Sequence, residues 1–386
     1  MLSRISKELS ELESRGLGRE PALPRGLDFA SNDYLGLARH PLMIEAARAA
    51  LVRWGRLGAA GSRLLAGHHE EHEALEAEAA RFFGAEAALY FNSGFDANLA
   101  IFSTLPAPRS CVVYDERVHA SVKEGIRASL AGKSSFRHND PEDAGRRLRL
   151  ARERGARELY IAVESLYSME GDLAPLPAFL DLARRFEATL VVDEAHATGV
   201  LGTTGRGALE GLKAPESIAL HTCGKALGAA GALVVGPRLV ARYLVNRSRP
   251  FIFSTAQPPA VAAAVRRALA LIDEEPWRRE RLRELSRTAS SRLKGALSRW
   301  RTVERDTPVI PVAIGSEGEA LAAARELARR GFDVRAVRPP TVPPGTARLR
   351  VSIHAERRER EIEELARELS RIERSLEKAA PAAAAA

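Results

Sequence analysis

Lysine is scarce in this chain of 386 residues, with seven against more than fifty arginines. One of the seven, Lys225, stands in HTCGKALGAAGA, a run of small and apolar residues unlike a solvated helix face. A lysine in such surroundings loses hydration, its pKa falls, and the free amine needed for a Schiff base becomes accessible. Asp193 closes LVVD, which reads as a buried strand, so its carboxylate requires a positive partner. The ring nitrogen of pyridoxal phosphate (PLP) is such a partner: a carboxylate keeps it protonated, and the ring then accepts electrons. His196, three residues on, could donate to the phenolic oxygen of the same ring. Gly94 and Phe95 open a helical pattern whose first N–H groups could bind a phosphate. Singly, each has a structural alternative, namely an ion-paired Asp, a satisfied surface His or a glycine in a plain turn. Together they point to one cofactor site.

These residues need a scaffold that brings strand ends to one rim. Short apolar runs at Ala88–Phe91, Cys111–Tyr114, Leu159–Val163, Leu190–Asp193 and Ala232–Val235 alternate with helical patterns such as His72–Phe83, Ala120–Ala131 and Pro177–Glu187. That rhythm predicts an α/β fold with a mostly parallel central sheet and helices on both faces. In such sheets ligands sit at the carboxyl ends of the strands. The polar segments found there are Asn92–Phe95, Asp115 with His119, Glu164 with Ser168, and Asp193–His196, while Thr222–Lys225 precedes the last run. Near Asp273–Trp277 the pattern changes to a charged helix (Arg278–Trp300), a strand (Val309–Ile314), a helix (Glu317–Arg330) and the alternating run Arg348–Ile353. The expected organisation is an N-terminal segment 1–40, a large cofactor-binding domain 41–275, a smaller C-terminal α+β domain 276–380 and a frayed tail 381–386.

Composition bounds the rest. Hydrophobic residues make up 45% and charged residues 28%, the profile of a soluble globular protein. No apolar run reaches membrane-spanning length, and residues 1–12 lack a signal-peptide core, so a cytoplasmic location without membrane association is expected. Two cysteines make no disulfide framework. The net charge of +8 is carried almost wholly by arginines spread over amphipathic segments. It reads as solvated helix faces, and no nucleic-acid partner is expected.

Two fragments imitate an ATP-driven helicase, Ala131–Ser134 (AGKS) and Val191–His196 (VVDEAH). The first lacks the opening glycine of a phosphate-binding loop, whose position is Arg127, and its flanks run helix-first, the reverse of strand–loop–helix. His68, His69 and His72 lack the HExxH spacing of a zinc site, and a helix N-terminus with acidic first-turn residues explains them better, so no metal is expected.

The ordered motifs LDFASNDYLGLARHP, GSRLLAGHHEEHEALE, FNSGFDAN, DERVHASVKEGIRAS, ESLYSMEGDLAPL, VVDEAHATGVLGTTGRG, HTCGKALGAAGA and RPPTVPPGTARLR, from about Leu27 to Leu365, resemble the α-oxoamine synthases. The resemblance implies a fold-type I PLP enzyme, an acyltransferase acting as a homodimer with shared active sites. It implies that Lys225 forms the Schiff base, Asp193 pairs with the pyridine nitrogen, His196 contacts the ring oxygen and His119 stacks on the ring. Gly94, Phe95 and Thr222 would hold the phosphate region, with Ser168 beside the cofactor and Thr341 reaching a phosphate across the dimer. Arg350, or Arg348 on the same strand face, would bind the amino-acid carboxylate, and Arg338 and Arg19 would line the acyl path. The segment RPPTVPPGTARLR looks most like the branch that condenses L-alanine with a pimeloyl thioester, on CoA or acyl carrier protein, in biotin biosynthesis. The alternatives are siblings using glycine with acetyl- or succinyl-CoA, or serine with a long acyl chain. A non-catalytic relative would be expected to have lost Lys225, Asp193 or His119, and all three are present. Asp96 departs from the family pattern, in which a small apolar residue is common, and sets a negative charge near the proposed phosphate end.

Overall fold

The computed structural model describes residues 1–214 and 216–384. Its strands are β1 (Leu27–Asp28), β2 (Ala87–Phe91), β3 (Ser110–Asp115), β4 (Gly132–Phe136), β5 (Glu158–Glu164), β6 (Ala188–Asp193), β7 (Ile218–Thr222), β8 (Ala232–Gly236), β9 (Val309–Gly315), β10 (Phe332–Asp333), β11 (Arg335–Val337) and β12 (Ala347–Ser352). The chain divides into two compact units, one made of residues 35–168 and 172–279, the other of residues 1–34, 169–171 and 280 onward.

The first unit is built on a seven-stranded sheet in the order β2-β8-β7-β6-β5-β3-β4. Its strands from β7 to β4 are parallel, and β8 runs antiparallel to both β7 and β2. Side chains alternate across the sheet, which explains why the central runs are apolar throughout. On one face Tyr160, Ala162, Val191 and Leu220 pack against Ala97, Ile101 and Phe102 of the helix Gly94–Thr104 and Val122 and Ile126 of the helix Ala120–Ala128. On the other, Leu159, Ile161, Val163, Leu190 and Val192 pack on Leu148, Phe179 and Leu180. Both faces are covered by helices, as the sequence predicts.

In this unit two strands escape the sequence pattern. β4 (GKSSF) is a polar edge strand with one buried residue, Phe136. It contains the AGKS lookalike, which is therefore the start of a strand and not a phosphate-binding loop. β7 (IALHT) carries a histidine in its middle, yet every residue of it is buried. His221 is accommodated by stacking on Phe83 at 3.7 Å, and burial holds its pKa down at about 3, so it sits neutral in the core. The antiparallel run of β8 places its beginning at the rim where β7 ends.

The second unit holds the antiparallel sheet β11-β12-β9 and the parallel pair β1-β10. This corrects the expected separate segment 1–40: residues 1–34 pack with the C-terminal residues, through Leu27–Phe332 pairing and Ser352 N–H donating to Phe29 O at 2.8 Å. The boundary near 275 moves to 279, and residues 169–171 also belong to the second unit. The tail expected to fray is helical through Ala384, and 385–386 lie outside the described residues. Among the described residues no helix is long and apolar enough to cross a membrane.

Candidate cofactor site and candidate substrate-binding residues

Asp193 and Glu164 end adjacent parallel strands in register, so two carboxyl groups stand side by side at the rim of the first unit. Both are nearly buried, at 7% and 3% exposure. Asp193 accepts from the Asn98 amide (2.8 Å) and the Ala195 N–H (2.9 Å). Glu164 accepts from the Ser168 N–H at 3.2 Å, while its Oε1 has no hydrogen-bond partner. Burial foremost, then the Asp193 charge, pushes the Glu164 carboxyl up to about 8. Two adjacent buried carboxylates cannot both ionise cheaply, and this favours the protonated form of Glu164.

His119 caps the helix Ala120–Ala128, its Nδ1 accepting from the Ser121 N–H at 3.2 Å. The same nitrogen lies 2.7 Å from Ser121 Oγ. Burial, and then the nearby cations Lys225 and Lys123, lower its pKa, and the Asp193 charge opposes them. His196 is buried in the turn that follows Asp193. The neighbouring Glu194 looks outward in sequence but is buried. It accepts from Ser165 Oγ (2.7 Å) and the N–H groups of Ala208 (2.9 Å) and Leu209 (2.8 Å), which pins the loop after the strand.

Lys225 lies in the turn between β7 and β8, within electrostatic reach of Glu164 and His119. Small residues there are required by space. A Cβ on Gly231 (φ +92°) would come within 2.4 Å of the Tyr90 ring, and one on Gly228 (φ +62°) within 2.3 Å of the Ala38 nitrogen. The turn is held by Gly228 N–H to Lys225 O (2.8 Å) and Ala229 N–H to Cys223 O (2.9 Å). Thr222 ends β7, with its hydroxyl 3.4 Å from Gly231 O.

The helix Gly94–Thr104 starts at the same rim, after β2. Ser93 Oγ accepts the Asp96 N–H and donates to Asp96 Oδ2, both at 3.0 Å. Asp96 is therefore folded back on the cap, and the Gly94 and Phe95 N–H groups, as first-turn donors, have no intrahelical acceptor. The Phe95 side chain itself is 45% exposed, so toward an anion at this rim the residue offers its backbone N–H and not its ring.

In the second unit Arg350 is buried on β12, donating to Ser352 Oγ (2.8 Å) and the Tyr34 hydroxyl (3.1 Å). Arg348, two residues away, is ion-paired with Glu170 at 3.3 Å and donates to Met169 O at 3.2 Å. Arg338 donates to the Gly16 and Gly18 carbonyls, and Arg19 to Pro339 O at 3.2 Å. Burial and then the charges of Arg19 and Arg325 lower the Arg338 pKa, so these cations form one like-charged cluster. Thr341 is exposed.

Sequence reading missed Asn98, Ser121 and Tyr34. All three lie inside quoted motifs, but only folding shows which face of the helix, or which distant arginine, they meet. Glu164 was visible as a rim residue, without a role.

The profile of the aminotransferase class I and II family matches residues 24–369. An 8-amino-7-oxononanoate synthase of Chromobacterium violaceum is 44% identical over 369 residues, covering 92% of this chain and 94% of the relative. One of Methylobacillus flagellatus is 40% identical over 388 residues, covering 97% and 96%. A serine palmitoyltransferase from S. paucimobilis, solved with PLP and myriocin, is similar at a TM-score of 0.89 and 29% identity, covering 97% of this chain and 98% of that one. An 8-amino-7-oxononanoate synthase from Francisella tularensis is similar at a TM-score of 0.74 and 26% identity, covering 90% and 97%.

Proposed function

We infer the reaction from one premise: this chain belongs to the aminotransferase class I and II family, in its α-oxoamine synthase group. It is a PLP-dependent acyltransferase that condenses L-alanine with a pimeloyl thioester, releasing CO2, the free thiol carrier and 8-amino-7-oxononanoate, a step of biotin biosynthesis. The observation that carries this reading is the gathering of Asp193, His119 and Lys225 at one rim, in a chain 40–44% identical to relatives of that name.

The residues suit the cofactor. Asp193 is a buried carboxylate that forms no ion pair among the described residues, which is the position a protonated ring nitrogen would fill. The first-turn N–H groups of Gly94 and Phe95, with the Thr222 hydroxyl, would hold the phosphate, His196 the ring oxygen, and His119 and Ser168 the ring's surroundings. Bound PLP supplies the electron sink for a carbanion at the alanine Cα. Lys225 would anchor the cofactor and, as a free amine, would take a proton from the alanine Cα and later return one. Asp193 holds the positive charge of the ring in place throughout. Arg350, buried on β12, would bind the amino-acid carboxylate, and Arg348, two residues along the strand and paired with Glu170, is the alternative. Arg338 and Arg19 would draw in the anionic acyl donor.

The enzyme works as a cytoplasmic homodimer. Exposed apolar side chains cluster along residues 42–65 of the first unit, with Val52 and Leu57 at 78% and Leu65 at 83% exposure, and such a patch asks for a partner. Exposed Thr341 is the residue that would reach the partner's cofactor. The higher structural similarity to serine palmitoyltransferase gives a second reading, serine with a long acyl chain. A product mass from a panel of alanine, glycine and serine against pimeloyl, acetyl, succinyl and palmitoyl thioesters decides between them. Product from serine and palmitoyl thioester, with none from alanine and pimeloyl thioester, would overturn the assignment.

A further inference from the structure

His119 is joined to Asp193 by a chain of hydrogen bonds through two residues to which the reaction assigns no role. Asn98 donates one amide hydrogen to Asp193 Oδ2 at 2.8 Å and the other to Ser121 Oγ at 3.0 Å. Ser121 Oγ lies 2.7 Å from His119 Nδ1. Asn98 and Ser121 are 2% and 0% exposed, so water does not compete for these bonds. The two helices approach closely enough because position 125 is glycine: a Cβ there would lie 2.8 Å from Phe102 Cβ and 2.9 Å from Asn98 O.

The direction of every hydrogen in the chain is determined. Both Asp193 oxygens act as acceptors, one from Asn98 and one from the Ala195 N–H, so Asn98 must present its NH2 there and not its carbonyl. The second amide hydrogen then makes Ser121 Oγ an acceptor, leaving the hydroxyl hydrogen to go forward to His119. The Ser121 backbone N–H, whose hydrogen has a fixed position, also points at Nδ1. A nitrogen facing that hydrogen must offer its lone pair. We propose that Asn98 and Ser121 form a one-way relay from Asp193 that fixes His119 as the neutral tautomer with its hydrogen on Nε2, so that His119 serves the reaction as a hydrogen-bond donor and not as a base. The role in the reaction rests on the reading that His119 faces the cofactor, whereas the tautomer does not. Burial and the nearby Lys225 and Lys123, which disfavour the imidazolium against the pull of Asp193, agree with a neutral ring.

The test is 15N NMR of the PLP-loaded enzyme with histidine-selective label, the His119 signals being those lost in His119→Asn. The expected pattern is an unprotonated Nδ1 and a protonated Nε2 at neutral pH. A protonated Nδ1 in the unmutated enzyme overturns the proposal without recourse to any variant. Ser121→Ala and Asn98→Asp take away the hydroxyl donor but keep the backbone N–H of residue 121 at Nδ1, so each should raise the Nδ1-protonated fraction measurably without making it dominant, and Ser121→Thr, which keeps the hydroxyl, should preserve the pattern. If both disruptive variants fold, bind PLP and leave the signals unmoved, the relay is not what fixes the ring. No substrate is used, so this result and that of the substrate panel can fail independently.

Discussion

At the scale of single residues, binding and chemistry fall to different charges. Asp193→Asn keeps the shape and the Asn98 contact at one oxygen but removes the charge that would hold a ring nitrogen protonated. kcat should fall by about 100-fold or more even at saturating alanine, because the lost interaction acts mainly on the transition state. Arg350→Ala should instead weaken alanine binding by about 10–100-fold, the usual effect of losing a charge-assisted hydrogen-bond pair, with cofactor binding intact. Steady-state kinetics beside a spectral titration with alanine separates the two. Should Arg348→Ala give the binding defect and Arg350→Ala none, the carboxylate site moves two residues along β12. Borohydride reduction of the loaded enzyme should fix the cofactor on Lys225, as peptide mass would show, and a label on another lysine would reassign the anchor.

At the scale of elements, the rim is tied together by a second histidine. His138, in the loop after β4, lies 3.0 Å from Asp115 at the end of β3 and 3.0 Å from Asp172 in the loop after β5. Burial opposes its charge, but the hydrogen bonds to the two carboxylates win and raise its pKa to about 9. A histidine pKa raised by folding stabilises the native state fully below its unfolded value, near 6.5, and this contribution is lost as pH rises through about 9. Asp115, with its pKa lowered, contributes in the opposite sense and loses its part as pH falls through the carboxylate range. Removing the imidazolium leaves two carboxylates facing each other, one of them buried. His138→Gln should therefore lower Tm at pH 7 by about 4–6 °C. The difference from the unmutated enzyme should shrink between about pH 8 and 10, and a Tm gap unchanged across that range would show that the ion triad is not its source.

At the scale of the whole molecule, the exposed apolar stretch of residues 42–65 asks for a partner, and the proposed one is a second copy of this chain. Sedimentation should show a dimer at micromolar concentration. Val52→Asp together with Leu65→Asp should loosen it, with loss of activity that follows the monomer fraction. A fully active monomer would remove both the dimer and the role given to Thr341.

The sequence by itself determined the class of fold and which polar residues end its strands at one rim. Strands β3, β5 and β6 are buried on both faces, so they read as unbroken apolar runs, and the polar residues that end them had to lie at one rim. Lys225 stood out because lysine is scarce and this one sits among small residues, but a lysine at a loop edge would read the same, and only its company with Asp193 and His119 favoured a role. Tertiary structure decided what depends on partners far apart in the chain. β4 is an edge strand and can be polar, and β7 hides a histidine by stacking it on Phe83, so neither shows the apolar pattern of a strand. Residues 1–34 join the C-terminal unit through β1–β10 pairing, which brings Tyr34 to Arg350 across more than three hundred residues. Asn98, Ser121 and Gly125 matter together because two helices touch at a glycine, and a contact of that kind is set by the closeness of two surfaces, a quantity that no local pattern of residues contains.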